Sequence, residues 1–290
     1  MSIFRQYTRD DSFTNIGNVR QIIPFLKEYQ IALAFARDYD VKDNPTNGNF
    51  TPYWNVEKVT PASIIQFKKD NPNVKINVLI SIGDRDAKFP FNPIDRDSWI
   101  SNATRSIRNI IRNNFQLVRN IVGIGIDVYY EHIEDEDLFA FCIGQLIKKL
   151  KEVQVISFAS IAPSFNLQTH YFKLYQKYSD FIDLVDYQFY NEVEPIPNPA
   201  SLIKRYEIIA SKFYPKEKLL AGYSSVRKDW SKLVPIVFFL GGSFLVVTNL
   251  AQGASIWDIE LLASGWGLLP FGVAMARELP ESNTLSKKDD

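Results

Sequence analysis

Short apolar runs separated by longer amphipathic segments set the rhythm of this chain. The runs Ile3–Tyr7, Ile31–Ala36, Val74–Ile82, Ile121–Val128, Val153–Ile161, Leu184–Phe189, Leu219–Tyr223 and Ala254–Trp257 are too short for helices and rich in Val, Ile, Phe and Tyr. Several are continuously apolar, the pattern of strands buried on both faces of a parallel sheet. Between them the period becomes helical: Trp99, Ala103, Ile107, Ile110 and Ile111 form one stripe, and Leu138, Cys142, Leu146 and Leu150 another. Thr60-Pro61 supplies an N-cap and a preset first turn for a helix ending near Lys69. The acidic run Glu134-Asp135-Glu136-Asp137 fits a helix N-terminus, where negative charge meets the macrodipole.

Eight strands alternating with helices predict an α/β chain folded as a closed (β/α)8 barrel (a TIM barrel) in a single domain over residues 1–277. A polar tail, 278–290, holds too few apolar residues to order itself. The rival is an open doubly wound sheet, which needs a glycine-rich phosphate loop after its first strand. Here that turn reads TRDDSFTN, and Gly123-Ile124-Gly125 lies inside a strand with Val128 where a third glycine belongs. The irregular stretch Arg37–Tyr53 would follow strand two, on the barrel face where sites are built.

Composition narrows the chemistry. Thirty-three basic residues balance thirty-three acidic ones, which argues against a nucleic-acid partner. One cysteine, Cys142, allows no internal disulfide and no multi-thiolate site, and with only His132 and His170 neither a metal nor a cofactor is expected. Cys142 reads as a small core residue and His170 as an ordinary loop histidine. The segment MSIFRQYTRDD lacks the apolar core of a signal peptide, so a cytoplasmic or other intracellular location is expected, the chloroplast included. Leu233–Ile256 carries no charge and approaches a membrane span in length. Pro235, the Gly241-Gly242 pair and the polar Thr248, Asn249 and Gln252 argue instead for a barrel helix followed by a buried strand.

The fourth strand carries the candidate chemistry. In GIDVYYE, a period of two puts Gly125, Asp127, Tyr129 and Glu131 on the inward face, with Glu131 at the C-terminal mouth. Buried carboxylates cost several kcal/mol unless paired or hydrogen-bonded, so stability alone would not select this arrangement. The motif resembles the D-G-x-D-x-D-x-E strand of family 18 glycoside hydrolases. Ser81-Ile82-Gly83-Asp84 resembles that family's S-x-G-G, and Gln188-Phe189-Tyr190-Asn191 its plant Q-F-Y-N. The segments IFRQY, SIGDR, YYEHI, SIAPS, HYFKLY and VDYQF resemble above all the legume branch of narbonin and the ruBisCO-associated protein, barrels with altered sites.

The resemblance implies a substrate-assisted reaction, in which the sugar's own acetamido oxygen attacks and the residue matched by Glu131 protonates the leaving oxygen. It implies Tyr7, Arg85, Gln188, Tyr190, Asn191 and Trp257 as residues of the sugar cleft. Where the family's last aspartate faces the positively charged intermediate, this chain has Tyr129, a phenol that stays neutral at ordinary pH. Asp127, one inward position deeper, is expected to accept a hydrogen bond from the Tyr129 hydroxyl. Arg85 is expected to pair with Glu131 and to depress its pKa, spoiling it as an acid. The leading expectation is a non-hydrolytic barrel with a storage, regulatory or protein-binding role, ruBisCO being a partner by resemblance only. Two alternatives stand beside it: a weak or altered endo-glycosidase using Glu131, and a lectin-like barrel holding N-acetylglucosamine oligosaccharides.

Overall fold

The computed structural model describes residues 3–21 and 23–257. Eight parallel strands follow one another around a ring: β1 Ile3–Thr8, β2 Glu28–Arg37, β3 Lys75–Asp84, β4 Gly123–Tyr130, β5 Phe158–Ile161, β6 Leu184–Gln188, β7 Leu219–Ser224 and β8 Gly253–Trp257. β1 pairs with both β2 and β8, which closes the sheet. The two residues Thr51–Pro52 add a short antiparallel pairing to the end of β2. The expected (β/α)8 barrel is therefore the fold.

Among the described residues, six helices cover the outside: α1 Pro61–Asp70, α2 Arg96–Phe115, α3 Glu136–Glu152, α4 Gln168–Tyr178, α5 Pro199–Lys212 and α6 Pro235–Val247. Between β1 and β2 the described residues hold only short 3-10 turns, Ser12–Ile16 and Val19–Gln21. Local chemistry starts the helices where the sequence suggested. Thr60 caps α1 in a reciprocal box with Ser63, and Asp135 caps α3 by accepting from the backbone of Asp137 and Leu138. The apolar stripes of α2 and α3 are buried, except that Leu138 is only partly covered.

Two expectations need adjustment. The run Val153–Ile161 is not one strand, since β5 begins at Phe158. Val153, Gln154 and Val155 return their N–H groups to the last carbonyls of α3, with Gln154 at φ 54°, so the helix stop consumes the first half of the run. His170 lies in the first turn of α4 rather than in a loop. The uncharged stretch Leu233–Ile256 divides into α6 and β8, as the barrel reading requires, and no helix of the described residues is long and apolar enough to cross a membrane. The end of the predicted barrel domain, 258–277, and the predicted tail, 278–290, lie outside the described residues.

Candidate active site

Side chains fill the barrel interior in layers whose character changes along its axis. At the start of the strands, Ile3, Leu184 and Leu220 pack with Phe158 in a small apolar plug. Nearby, buried Glu28 accepts from Gln30 Nε2 at 2.6 Å, Asn77 Nδ2 at 2.6 Å and Lys75 Nζ at 3.0 Å.

The middle layer is ionic. Arg5, wholly buried, donates from Nε to Gln30 Oε1 at 2.8 Å and from Nη1 to Asp127 Oδ1 at 2.8 Å, and lies 3.5 Å from Asp186 Oδ2. The Tyr7 hydroxyl sits between the same two acids, 3.1 Å from Asp127 and 2.8 Å from Asp186. Ser81 and Ser160 also donate to Asp127, and Ser255 donates to Asp186 at 2.7 Å. Burial pushes the Asp186 carboxyl above its ordinary range, against the pull of Arg5. Burial, joined by both carboxylates, drives the Tyr7 phenol well above its ordinary value, so it serves as a neutral donor.

Asp127 takes no hydrogen bond from Tyr129, contrary to the expectation from sequence. Both of its oxygens are already engaged by Arg5, Tyr7, Ser81 and Ser160. The Tyr129 hydroxyl instead points along the barrel toward the mouth, 2.6 Å from the Tyr190 hydroxyl, 3.1 Å from Glu131 Oε1 and 3.4 Å from Gln188 Oε1. Gln188 is fixed in turn by donating to the Ala162 carbonyl at 2.7 Å. Asn191, at the end of the turn Phe189–Asn191, makes none of these bonds.

At the mouth, Arg85 serves two acids. Its Nε stands 3.9 Å from Glu131 Oε1, while its Nη2 stands 3.2 Å from Asp229 Oδ2. Asp229 is also held by the Ser224 hydroxyl. The expected ion pair is present, but its expected effect is not. Burial raises the Glu131 carboxyl to about 7, and Arg85 and the Tyr129 hydroxyl offset this only in part. Loss of water outweighs a shared cation at that distance, and Glu131 keeps its proton into the neutral range, as a general acid must.

The aromatic roof decides what space remains. Trp257, 6% exposed, is stacked against Phe35 with ring centroids 5.2 Å apart and against Tyr129 at 5.5 Å. Tyr7 lies 5.4 Å from the indole, and the Arg85 guanidinium sits 5.4 Å from its centroid. The Tyr129 ring has no exposed surface at all. Gly83 explains part of this placement: at φ 107°, a Cβ there would come within 2.5 Å of the Tyr129 carbonyl oxygen, so only glycine lets β3 pass β4 at this height.

Tyr7, Arg85, Asp127, Tyr129, Glu131, Gln188, Tyr190 and Trp257 thus converge in one column, with Asn191 at its edge. Sequence reasoning missed Arg5, Phe35, Asp186 and Asp229. The first and third were within reach of the same two-residue parity: Arg5 shares a strand face with Tyr7, and Asp186 with Gln188. Asp229 comes from the loop after β7, where no period reports direction.

No protein-family model matches the chain. It is 37% identical over 265 residues to the RuBisCO-associated protein of Glycine max, across 88% of this chain and 89% of that protein. It is 39% identical over 241 residues to Chitinase 1 of Tulipa saxatilis subsp. bakeri, across 80% of this chain and 73% of that one. Among solved structures, the catalytic domain of a family 18 chitinase from the fern Peteris ryukyuensis superposes with a TM-score of 0.77 at 28% identity, covering 95% of this chain and 98% of that domain. A closed eight-stranded barrel with a glutamate past the end of its fourth strand defines a chitinase-like class, and the chain belongs to glycoside hydrolase family 18. Within that family it is related to the RuBisCO-associated protein.

Proposed function

We propose that this barrel does not hydrolyse chitin and serves instead in a storage, regulatory or protein-binding role. The observation that carries the reading is the Tyr129 ring, buried against Trp257 and tied by its hydroxyl to Tyr190 and Glu131. In a substrate-assisted reaction the sugar's acetamido group must fold under the anomeric carbon, next to an anion that balances the positive charge it acquires. Here that place holds a phenol, which burial first, and then Tyr190 and Glu131, keep well above its ordinary pKa and therefore neutral. Losing one preorganised electrostatic partner costs about 3–4 kcal/mol, a hundredfold or more in rate. The ring also occupies volume that the sugar would need, and the indole that would floor the sugar is covered by Phe35, Tyr129 and Arg85.

A second reading, an altered endo-glycosidase, draws on one observation: Glu131 titrates near 7 and so retains an acid's proton. Incubation with N-acetylglucosamine oligomers, followed by product chromatography, separates the two readings. The silent barrel gives no products beyond those of Glu131→Gln, whereas turnover that Glu131→Gln abolishes supports the enzyme. An intracellular location remains part of the proposal, and cell fractionation tests it.

A further inference from the structure

Far from the mouth, the chain concentrates positive charge that no ion pair among the described residues balances. Acids and bases balance overall, yet from Ser98 to Ile126 the sequence carries Arg105, Arg108, Arg112 and Arg119 and no acid. Arg105, Arg108 and Arg112 follow a spacing of three and four along α2, which puts them on one exposed face. Across from them α3 brings Lys149, exposed in its last turn.

Between the two helices runs a trough of three depressions of about 270, 230 and 330 Å³. The first two share Arg108 and Val153, and the last two share Arg119, Gln154 and Val155, so the depressions are continuous. The trough ends at Gly123 and Ser157, beside the starts of β4 and β5, on the barrel face opposite Glu131.

Internal partners do not account for this charge. Among the described residues, Arg105 reaches only the amide oxygens of Asn49 and Asn102, and Arg119 only the Gln154 carbonyl. The side chains of Arg108, Arg112 and Lys149 form no hydrogen bond or ion pair among the described residues. Glu152, the one acid on the trough wall, is taken by Lys148 at 3.8 Å. Helix dipoles favour a base in the last turn, which suits Arg112 and Lys149 but not the mid-helix Arg105 and Arg108. Val153, 50% exposed, lines the trough, while Leu117 at 77% and Ile121 at 43% lie in the turn after α2. Arginine is enriched at protein interfaces, and its planar fork matches carboxylates. A nucleic acid would call for a larger excess of bases than a chain with 33 basic and 33 acidic residues provides.

We infer that the α2–α3 trough docks an acidic amphipathic helix of a partner protein, its carboxylates matching Arg105, Arg108 and Arg112 turn by turn and its apolar edge meeting Val153. The inference is independent of the mouth and stands whether or not the barrel turns over sugar.

The test uses the full chain and a fluorescent synthetic helical peptide with glutamates at spacings of three and four and leucines beside them, read by anisotropy. Saturable, salt-sensitive binding is expected. The exposed double variant Arg108→Glu with Arg112→Glu should weaken it by about tenfold or more at an unchanged thermal midpoint. The same variant should in turn gain affinity for a peptide with lysines in place of the glutamates. Absence of saturable binding, equal affinity for wild type and variant, or tighter binding of a single-stranded RNA of equal charge would each overturn it.

Discussion

Glu131 and Tyr129 form a proton-holding pair whose behaviour follows from burial more than from sign. The Glu131 carboxyl has its ordinary value of 4.5 when the chain is unfolded and about 7 when folded, because burial dominates the Arg85 contact at 3.9 Å. A carboxyl raised in the folded state binds its proton more tightly there, so its stabilising effect is complete below about pH 4.5 and fades as pH climbs to about 7. The whole swing is on the order of 3 kcal/mol. Glu131→Gln, an isosteric change, removes this titration. Urea unfolding at a series of pH values should show wild type losing stability relative to Glu131→Gln between those limits. A constant difference would show that the raised carboxyl is not there. Sequence supplied the identity of both residues and their shared face but misjudged the charge balance, because water loss and the sharing of Arg85 with Asp229 are properties of three dimensions.

Strands and helices were legible wherever one period ran unbroken: β1 through β4 lie within a few residues of their predicted bounds, and Thr60-Pro61 opens α1 as read. The failure at Val153–Ile161 is informative, since an apolar run cannot reveal that a helix stop will use its first residues. Inside β1 and β6 the charged residues, Arg5 and Asp186, mark the ionic layer. Arg5→Leu strands two buried carboxylates without a cation and should cost about 3–5 kcal/mol in urea unfolding. Adding Asp186→Asn should recover part of that loss; a single variant as stable as wild type would contradict the ionic layer. Between β3 and β4 the restriction is steric. Gly83→Ala meets the Tyr129 carbonyl at 2.5 Å in a left-handed conformation, and a loss of about 3 kcal/mol or more is expected as a lowered thermal midpoint.

Across the whole molecule, the barrel keeps a family 18 framework, and rings from distant segments pack together inside it. Closure of β1 on β8 brings Tyr7 and Trp257 together, and the end of β2 delivers Phe35 onto the same indole. These distant segments meet only because the ring closes, so the alternation of strands and helices foretold the barrel while the filled mouth was visible only in part, through Tyr129. The central claim is that the protein's own rings occupy the seat of a sugar. Isothermal titration of N-acetylglucosamine oligomers into the wild-type chain tests it most directly: no binding heat is expected up to about millimolar sugar. Saturable heat that Trp257→Ala abolishes would contradict it.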